Sequence, residues 1–190
     1  MDIKQARKNV IEQQIRPWGG LNIRANQALI DIPRENFVPE EYQNLVFADM
    51  EIPLNNSEKM LSPKIEGRIL DSLDLQGHED VLEIGTGSGY FTAVLASLAK
   101  SVKSIEIHKE LIDAAKEKID VLNISNVELV NEDALNLNLG NEKFDTIVVG
   151  CALPVISENL KRALKLSCLL YTSDAADEGL GVDLGGRRII

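Results

Sequence analysis

Three glycines at alternate positions mark the stretch of this sequence with the clearest chemical meaning. Gly85, Gly87 and Gly89 follow residues 81–84, an apolar run that contains one acidic residue, Glu83. Apolar side chains then recur at helical spacing over residues 91–98. A strand, a glycine turn and a helix form half of a nucleotide-binding βαβ unit, and a glycine backbone can lie directly against a ligand. The sequence therefore predicts that a nucleotide-type cofactor binds at this turn.

The spacing of these glycines separates two classes of cofactor. A dinucleotide fingerprint places its third glycine three residues after the second, whereas here Tyr90 occupies that position. With Glu83 two residues before the first glycine, the stretch resembles motif I of the class I S-adenosylmethionine-dependent methyltransferases. A dinucleotide oxidoreductase and a plain glycine-rich turn of an α/β protein stay open as alternatives. The resemblance implies S-adenosylmethionine as cofactor, with contacts from Glu83, Gly85, Thr86, Gly87, Ser88 and Gly89.

A second carboxylate follows at the distance expected for ribose binding. The alternating residues 102–107 predict a strand that contains Glu106, twenty-one residues after Gly85. In a mononucleotide-binding half, the acid about 20 residues on hydrogen-bonds the ribose hydroxyls. A solvated glutamate at the strand end is the alternative, but the position and residue type of Glu106 together favour ribose binding. A further buried strand over 144–150 ends at Cys151, which we expect to be a small apolar residue at the pocket edge.

Composition limits the classes of partner. The 190 residues suit a single domain, and the formal net charge of −10 comes without any basic stripe, so no nucleic-acid partner is expected. Two cysteines give no disulfide framework and suit a reducing compartment. The sequence shows neither a signal peptide nor an apolar run of membrane-spanning length. We therefore expect a cytoplasmic protein without a membrane partner, and the sequence does not determine its oligomeric state.

The N-terminal half narrows the resemblance to one family. Helical patterns over 2–16 and 22–30 precede PRENFVP at 33–39, FADMEIPL at 47–54 and VLEIGTGSGYFTAVLASLA at 81–99. Together they resemble the protein-L-isoaspartate O-methyltransferases, in register from about residue 4 to residue 167. The resemblance implies a Rossmann-like α/β fold with helices on both faces of the sheet. It also implies methyl transfer to the carboxylate of isoaspartyl residues, with damaged proteins or peptides as partners. The resemblance places Asp133 beside the adenine amino group of the cofactor, and it includes the adjacent Ala134 in the cofactor site.

One segment departs from the family pattern. The family's acceptor loop carries Gln-Thr-Ile-Ser-x-Pro, and aligning Pro63 puts Lys59 at the threonine position and Leu61 at the serine position. Ser62 is displaced by one residue, and Ser62-Pro63 is a good helix N-cap followed by proline. We expect Ser62 to be a cap. Because Leu61 would then present an apolar side chain where the family has a hydroxyl, we expect weak isoaspartyl activity or a different acceptor. The family resemblance assigns this acceptor site to Ser62, Leu61 and Lys59. An isoaspartyl repair enzyme, a related methyltransferase and an inactive cofactor-binding fragment all remain open.

The end of the sequence also departs from the family. Residues 168–190 are similar to translated sequencing adapter, so we expect them to be artefact. The predicted units are an N-terminal helical and acceptor-loop segment at 1–62, an incomplete cofactor-binding domain at 63–167, and this tail. A helix is expected over 155–166. With the family's last strands missing, we expect one edge of the fourth strand to be unpaired or badly paired. We also expect deletion of the tail to change stability little.

Overall fold

A parallel sheet forms the centre of the fold. The computed structural model describes residues 3–18, 21–172 and 188–189. The strands of this sheet lie in the order β5-β4-β3-β6-β7-β8, and all neighbouring pairs are parallel. Their bounds are β3 Asp80–Ile84, β4 Ser101–Glu106, β5 Val127–Asn131, β6 Phe144–Val149, β7 Leu164–Thr172 and β8 Arg188–Ile189. The chain adds β4 and β5 on one side of β3 and β6 on the other, so the strand order reverses between β3 and β6.

Helices cover both faces of the sheet, which confirms the predicted fold class. Their bounds are α1 Ile3–Val10, α2 Ile23–Asp31, α3 Pro63–Leu73, α4 Tyr90–Leu98, α5 Lys109–Val121 and α6 Glu158–Ala163. Alternate residues of β3 belong to different cores, since Val81 packs with α1 to α4 and Leu82 packs with α6. The central strand β3 is therefore buried on both sides, as strands of parallel sheets usually are.

A short hairpin stands apart from the sheet. Its strands β1 Ile52–Pro53 and β2 Lys59–Met60 are antiparallel, with Ile52 opposite Met60. Both of these residues are buried in the core formed by the N-terminal helices. The hairpin is thus anchored at its base, and it carries residues 54–59 towards the carboxyl ends of the central strands.

The structure differs from the sequence prediction at both ends of the chain. The expected helix over 2–16 is an α-helix only to Val10, followed by a π-helical turn at Ile11–Ile15 and a 3-10 turn at Arg16–Trp18. The expected helix over 155–166 ends at Ala163, and a strand begins at the buried Leu164.

The edge of the fourth predicted strand is paired, so the expectation of an open edge is wrong. Residues 169–172 of β7 lie opposite residues 146–149 of β6 in parallel register. The helical spacing of apolar residues before Leu166 could not reveal the strand β7. Its backbone hydrogen-bond partners come from β6, a strand about twenty residues earlier in the chain. Deletion from residue 168 onward would remove these partners from β6, which argues against the expectation that the deletion leaves stability unchanged.

Candidate functional site

A pocket of about 220 Å³ opens at the carboxyl ends of β3, β4 and β6. Parallel sheets bind ligands at the point where the strand order reverses, and β3 and β6 flank that point here. The described residues that line the pocket are Glu58, Lys59, Ile84, Gly85, Gly87, Ile105, Glu106, Ile107, Glu132, Asp133, Ala134, Leu135, Gly150, Cys151, Ala152, Leu153 and Pro154. This set includes the acid predicted for ribose and the acid predicted for adenine.

Two positions of the glycine turn require glycine, and the first of them, Gly85, lines the pocket. Gly85 has φ +95°, and a Cβ added there would lie 2.9 Å from Cβ of Cys151. Gly89 has φ +83°, and its added Cβ would lie 2.7 Å from Cβ of Ala115 in α5. Side chains at either position would therefore combine backbone strain with a close contact. The turn therefore packs closely against Cys151, which follows β6, and against Ala115 of α5.

Glu106 ends β4 and holds the two segments beside it. Its Oε2 accepts a hydrogen bond from the backbone N–H of Gly87 and its Oε1 accepts one from the N–H of His108, each at 3.0 Å. The side chain is buried and lines the pocket. Since each carboxylate oxygen has two acceptor sites, one site per oxygen remains for a ligand hydroxyl. The geometry suits the ribose contact that the sequence predicts.

Glu83 lies beneath the glycine turn and is not among the residues that line the pocket. Its Oε2 accepts hydrogen bonds from the hydroxyls of Thr92 and Ser104, and Ser104 is also bonded to Thr86 at 2.6 Å. Burial raises the pKa of Glu83 to about 7, while the two hydroxyl groups act in the opposite direction. Glu83 is therefore connected to the glycine turn through Ser104, which is hydrogen-bonded to Thr86 in that turn. Ser88 is likewise buried, and its hydroxyl accepts from the N–H of Tyr90.

We expect Glu83→Gln to remove part of the pH dependence of folding stability. The folded pKa of about 7 exceeds the ordinary value of 4.5. The protonated carboxyl therefore stabilises the fold fully below pH 4.5, and this contribution is lost as the pH rises through 7. The free energy of unfolding, measured by urea denaturation, should fall by about 3 kcal/mol more for the wild type than for the variant over this range.

A second buried carboxyl does not disturb this comparison. Burial also raises the pKa of Glu66 to about 7, but Glu66 is present in both proteins, so their difference isolates Glu83. Parallel stability curves for the two proteins would show that Glu83 does not titrate in this range.

Asp133 and Ala134 lie on the pocket wall after β5. The carboxylate of Asp133 accepts from the backbone N–H of Leu135 at 2.9 Å and from the side-chain amide of Asn136 at 2.8 Å. Ala134 is buried in the core beneath this turn. The sequence reasoning missed the flanking Glu132 and Leu135, although the strand end at Asn131 could have pointed to them.

The hairpin closes one side of the pocket. Glu58 and Lys59 line it, and Nε2 of His108 lies 3.5 Å from Oε1 of Glu58. The Nζ of Lys59 is bound to Glu51 at 2.9 Å, with both side chains more than half exposed. Lys59 thus lies at the pocket, while its assignment to the acceptor site stays a prediction. Nothing in the local sequence pattern indicated Glu58 or His108.

Leu61 and Ser62 follow the hairpin and do not line the pocket. A Cβ added at Gly150 would lie 4.0 Å from Cδ1 of Leu61, so the Leu61 side chain lies next to a residue of the pocket wall. Ser62 occupies the N-cap position of α3, with Pro63 as the first helical residue. Its side chain makes no capping hydrogen bond, which corrects the expectation that its hydroxyl caps the helix. Only the backbone carbonyl of Ser62 is used, accepting from the N–H of Glu66.

Comparison with known proteins identifies the relatives of this chain. Residues 5–170 match the family model described as protein-L-isoaspartate(D-aspartate) O-methyltransferase (PCMT). A protein-L-isoaspartate O-methyltransferase of Dictyoglomus turgidum is 39% identical over 165 residues, which are 85% of this chain and 73% of that protein. One from Syntrophus aciditrophicus is 37% identical over 186 residues, 98% of this chain and 81% of that protein. The second alignment extends into residues 168–190, so their assignment as artefact stays a prediction.

Solved structures share the fold. A structure assigned as a protein-L-isoaspartate O-methyltransferase from Plasmodium falciparum, in complex with S-adenosyl-L-homocysteine, superposes with a TM-score of 0.74. The sequences are 19% identical, and the match covers 86% of this chain and 82% of that one. A second protein-L-isoaspartate O-methyltransferase gives a TM-score of 0.73 at 22% identity, covering 87% of this chain and 53% of that one. At these identities the likeness establishes the fold alone.

Proposed function

The chain belongs to the protein-L-isoaspartate O-methyltransferase family, and we propose that it transfers a methyl group from S-adenosylmethionine to the free carboxylate of L-isoaspartyl residues in damaged proteins. The observation that carries this proposal is the pocket where the strand order reverses. There the glycine turn and the buried Glu106 meet at hydrogen-bonding distance. Such a pair is the arrangement that mononucleotide-binding halves use for a ribose-containing cofactor.

The residues of the pocket fit this cofactor. The positions Gly85 and Gly87 would face its amino-acid end, Glu106 its ribose hydroxyls, and Asp133 the adenine amino group. Four carboxylates line the described pocket, from Glu58, Glu106, Glu132 and Asp133, against the single ammonium of Lys59. This excess of negative charge favours a ligand that carries a positive sulfonium.

The proposed reaction requires little acid–base catalysis from the protein. When bound, the cofactor supplies an electrophilic methyl group on sulfur. A carboxylate oxygen of the acceptor forms the new O–CH3 bond while the S–CH3 bond breaks, leaving a methyl ester. Because a carboxyl group is ionised at pH 7, no general base is needed. The protein contributes by aligning the two reactants and excluding water, and we assign the acceptor side to the hairpin and residues 59–62.

The acceptor loop favours a second candidate function. Leu61 stands where the family pattern has a serine, and Lys59 stands where it has a threonine. An apolar side chain offers no hydrogen bond to an isoaspartyl group, while an ammonium near the pocket pairs with carboxylates in general. A related methyltransferase that uses a different acceptor is therefore the alternative.

We expect Leu61→Ser to increase turnover on an isoaspartyl peptide. A new hydroxyl that pairs with a substrate polar group is worth about 1–3 kcal/mol, or roughly 5- to 150-fold in kcat/KM. Steady-state kinetics at saturating S-adenosylmethionine measure this change. An unchanged rate in Leu61→Ser would count against the alignment that places Leu61 at the family's serine position.

Ser62→Ala is the control variant for Leu61→Ser. Since the hydroxyl of Ser62 makes no capping bond, we expect less than about 0.5 kcal/mol of lost stability, below the usual cap value, and unchanged turnover. Abolished methyl transfer in a folded Ser62→Ala protein would instead identify Ser62 as the functional hydroxyl.

A pair of synthetic peptides tests the proposed function. The two have the same sequence, with isoaspartate in one and aspartate in the other, and each is incubated with labelled S-adenosylmethionine. We expect base-labile label on the isoaspartyl peptide alone. Cofactor binding without label on either peptide would favour the alternative acceptor or an inactive cofactor-binding protein.

We also propose that the protein acts on proteins in the cytoplasm rather than on nucleic acid. The net charge of −10 and the lack of a basic stripe in the sequence support this choice of partner. Across the part of the chain that the structure describes, no helix combines the length and apolar character needed to cross a membrane.

A further inference from the structure

A buried arginine connects the acceptor side of the pocket to the cofactor side. Arg34 is only 3% exposed, in the 3-10 turn Arg34–Asn36 that follows α2. Its Nη2 donates to the backbone carbonyl of Leu61 at 2.7 Å, and its Nη1 is paired with Glu66 of α3. Its Nε donates to the carbonyl of Val46 at 3.2 Å. One guanidinium therefore fixes the backbone beside Lys59 and Ser62 relative to the helix that follows them.

The same guanidinium also contacts the helix that begins at the glycine turn. Its Cζ lies 5.0 Å from the centre of the Tyr90 ring, a cation–π distance. Tyr90 is the first residue of α4 and follows Gly89 directly. The ring of Phe37 packs against Tyr90 edge-on, with centroids 5.6 Å apart. Arg34 thus sets the distance between the backbone of Leu61 and the start of α4.

Stability alone does not account for this arrangement. Buried ion pairs are often no more stabilising than apolar groups of the same volume, because both charges lose their hydration. The planar fork of arginine, with its fixed donors, can hold a carboxylate, a carbonyl and a ring face at once, which an ammonium cannot. We infer that Arg34 is a positioning residue that sets the acceptor loop at residues 59–62 against the cofactor turn. This inference rests on the proposed function.

Arg34→Lys is the main test, with Arg7→Lys as the matched control. Arg7 has the same types of partner, the carboxylate of Glu35 and the carbonyl of Ile30, but none in the acceptor loop. For Arg34→Lys we expect the KM for an isoaspartyl peptide to rise about ten- to a hundredfold, the scale of a lost hydrogen bond from a charged group. The calorimetric Kd for S-adenosylmethionine should change less than about threefold. Arg7→Lys should change the peptide KM and the Kd for S-adenosylmethionine by less than about threefold each.

A second variant covers the case in which Arg34→Lys does not fold. Glu66→Gln keeps the side-chain volume but removes the charge that anchors Nη1. We expect a several-fold rise in the peptide KM with unchanged cofactor affinity.

The outcomes distinguish the inference from the proposed function. Equal peptide KM values in Arg34→Lys and Arg7→Lys, or a peptide KM in Glu66→Gln equal to that of the wild type, would overturn the positioning role. So would a loss of cofactor affinity as large as the change in peptide KM. A wild-type protein that binds cofactor but does not methylate the isoaspartyl peptide would instead overturn the proposed function.

Discussion

Gly85→Ala is expected to raise the Kd for S-adenosylmethionine at least about a hundredfold. The residue has φ +95°, where an alanine is strained by roughly 1–3 kcal/mol. The added Cβ would also lie 2.9 Å from Cβ of Cys151, so either the turn or the start of the 150–154 segment must shift. Both segments line the pocket, and a shift of either moves cofactor contacts. Isothermal titration calorimetry measures the affinity, with circular dichroism to verify that the variant is folded.

Gly150→Ala is the control for this experiment. It adds a methyl group beside the same turn, but Gly150 is not in the positive-φ region. Its nearest neighbours, the carbonyl oxygens of Ile84 and Gly85, lie at 3.7 Å, an ordinary contact. We expect its Kd to stay within about tenfold of the wild type. Unchanged affinity in Gly85→Ala would show that the glycine turn is not the cofactor contact.

Glu106→Ala is expected to weaken cofactor binding by about 1–3 kcal/mol, roughly 5- to 150-fold in Kd. The change removes the acceptor proposed for the ribose hydroxyls. It also releases the backbone N–H groups of Gly87 and His108, which the carboxylate holds in place. Calorimetry with S-adenosylmethionine and with S-adenosylhomocysteine measures the effect. Both ligands should lose affinity, since they share the ribose.

Glu132→Ala isolates the effect of charge in this comparison. Glu132 also lines the pocket and carries the same charge, but it is exposed and follows β5 rather than ending β4. We expect its affinity to change less than about threefold. If Glu106→Ala and Glu132→Ala were equivalent, general electrostatics would explain the loss, and Glu106 would not be the ribose acceptor.

Local sequence patterns predicted the central part of the fold well. The apolar run before Gly85 is β3, and Glu106 is the last residue of β4, in the pocket. These features follow from strand alternation and from the backbone demands of a tight turn, which are local. The position of the motif acid Glu83 was harder to predict. Its partners Thr92 and Ser104 come from two other elements.

The features that sequence reasoning missed depend on contacts between distant segments. The strand at Leu164–Thr172 has a partly helical pattern, and only its pairing with β6 decides its conformation. The approach of Glu58 to His108 joins the hairpin to the turn after β4, fifty residues away. Ser62 has the residue type and position of a cap, yet its side chain makes no capping bond. Local propensity does not determine which of several polar partners a side chain selects.

A single-turnover experiment tests the central claim most directly, namely that cofactor held in this pocket donates its methyl group to an isoaspartyl carboxylate. The protein is preloaded with trideuteromethyl S-adenosylmethionine, freed of excess ligand and mixed with an isoaspartyl peptide. Tandem mass spectrometry of the quenched peptide then locates the label. We predict one trideuterated methyl ester on the isoaspartyl carboxylate, formed at the expense of bound cofactor and absent with Gly85→Ala. Bound cofactor that persists unchanged beside an unmodified isoaspartyl peptide would contradict the claim.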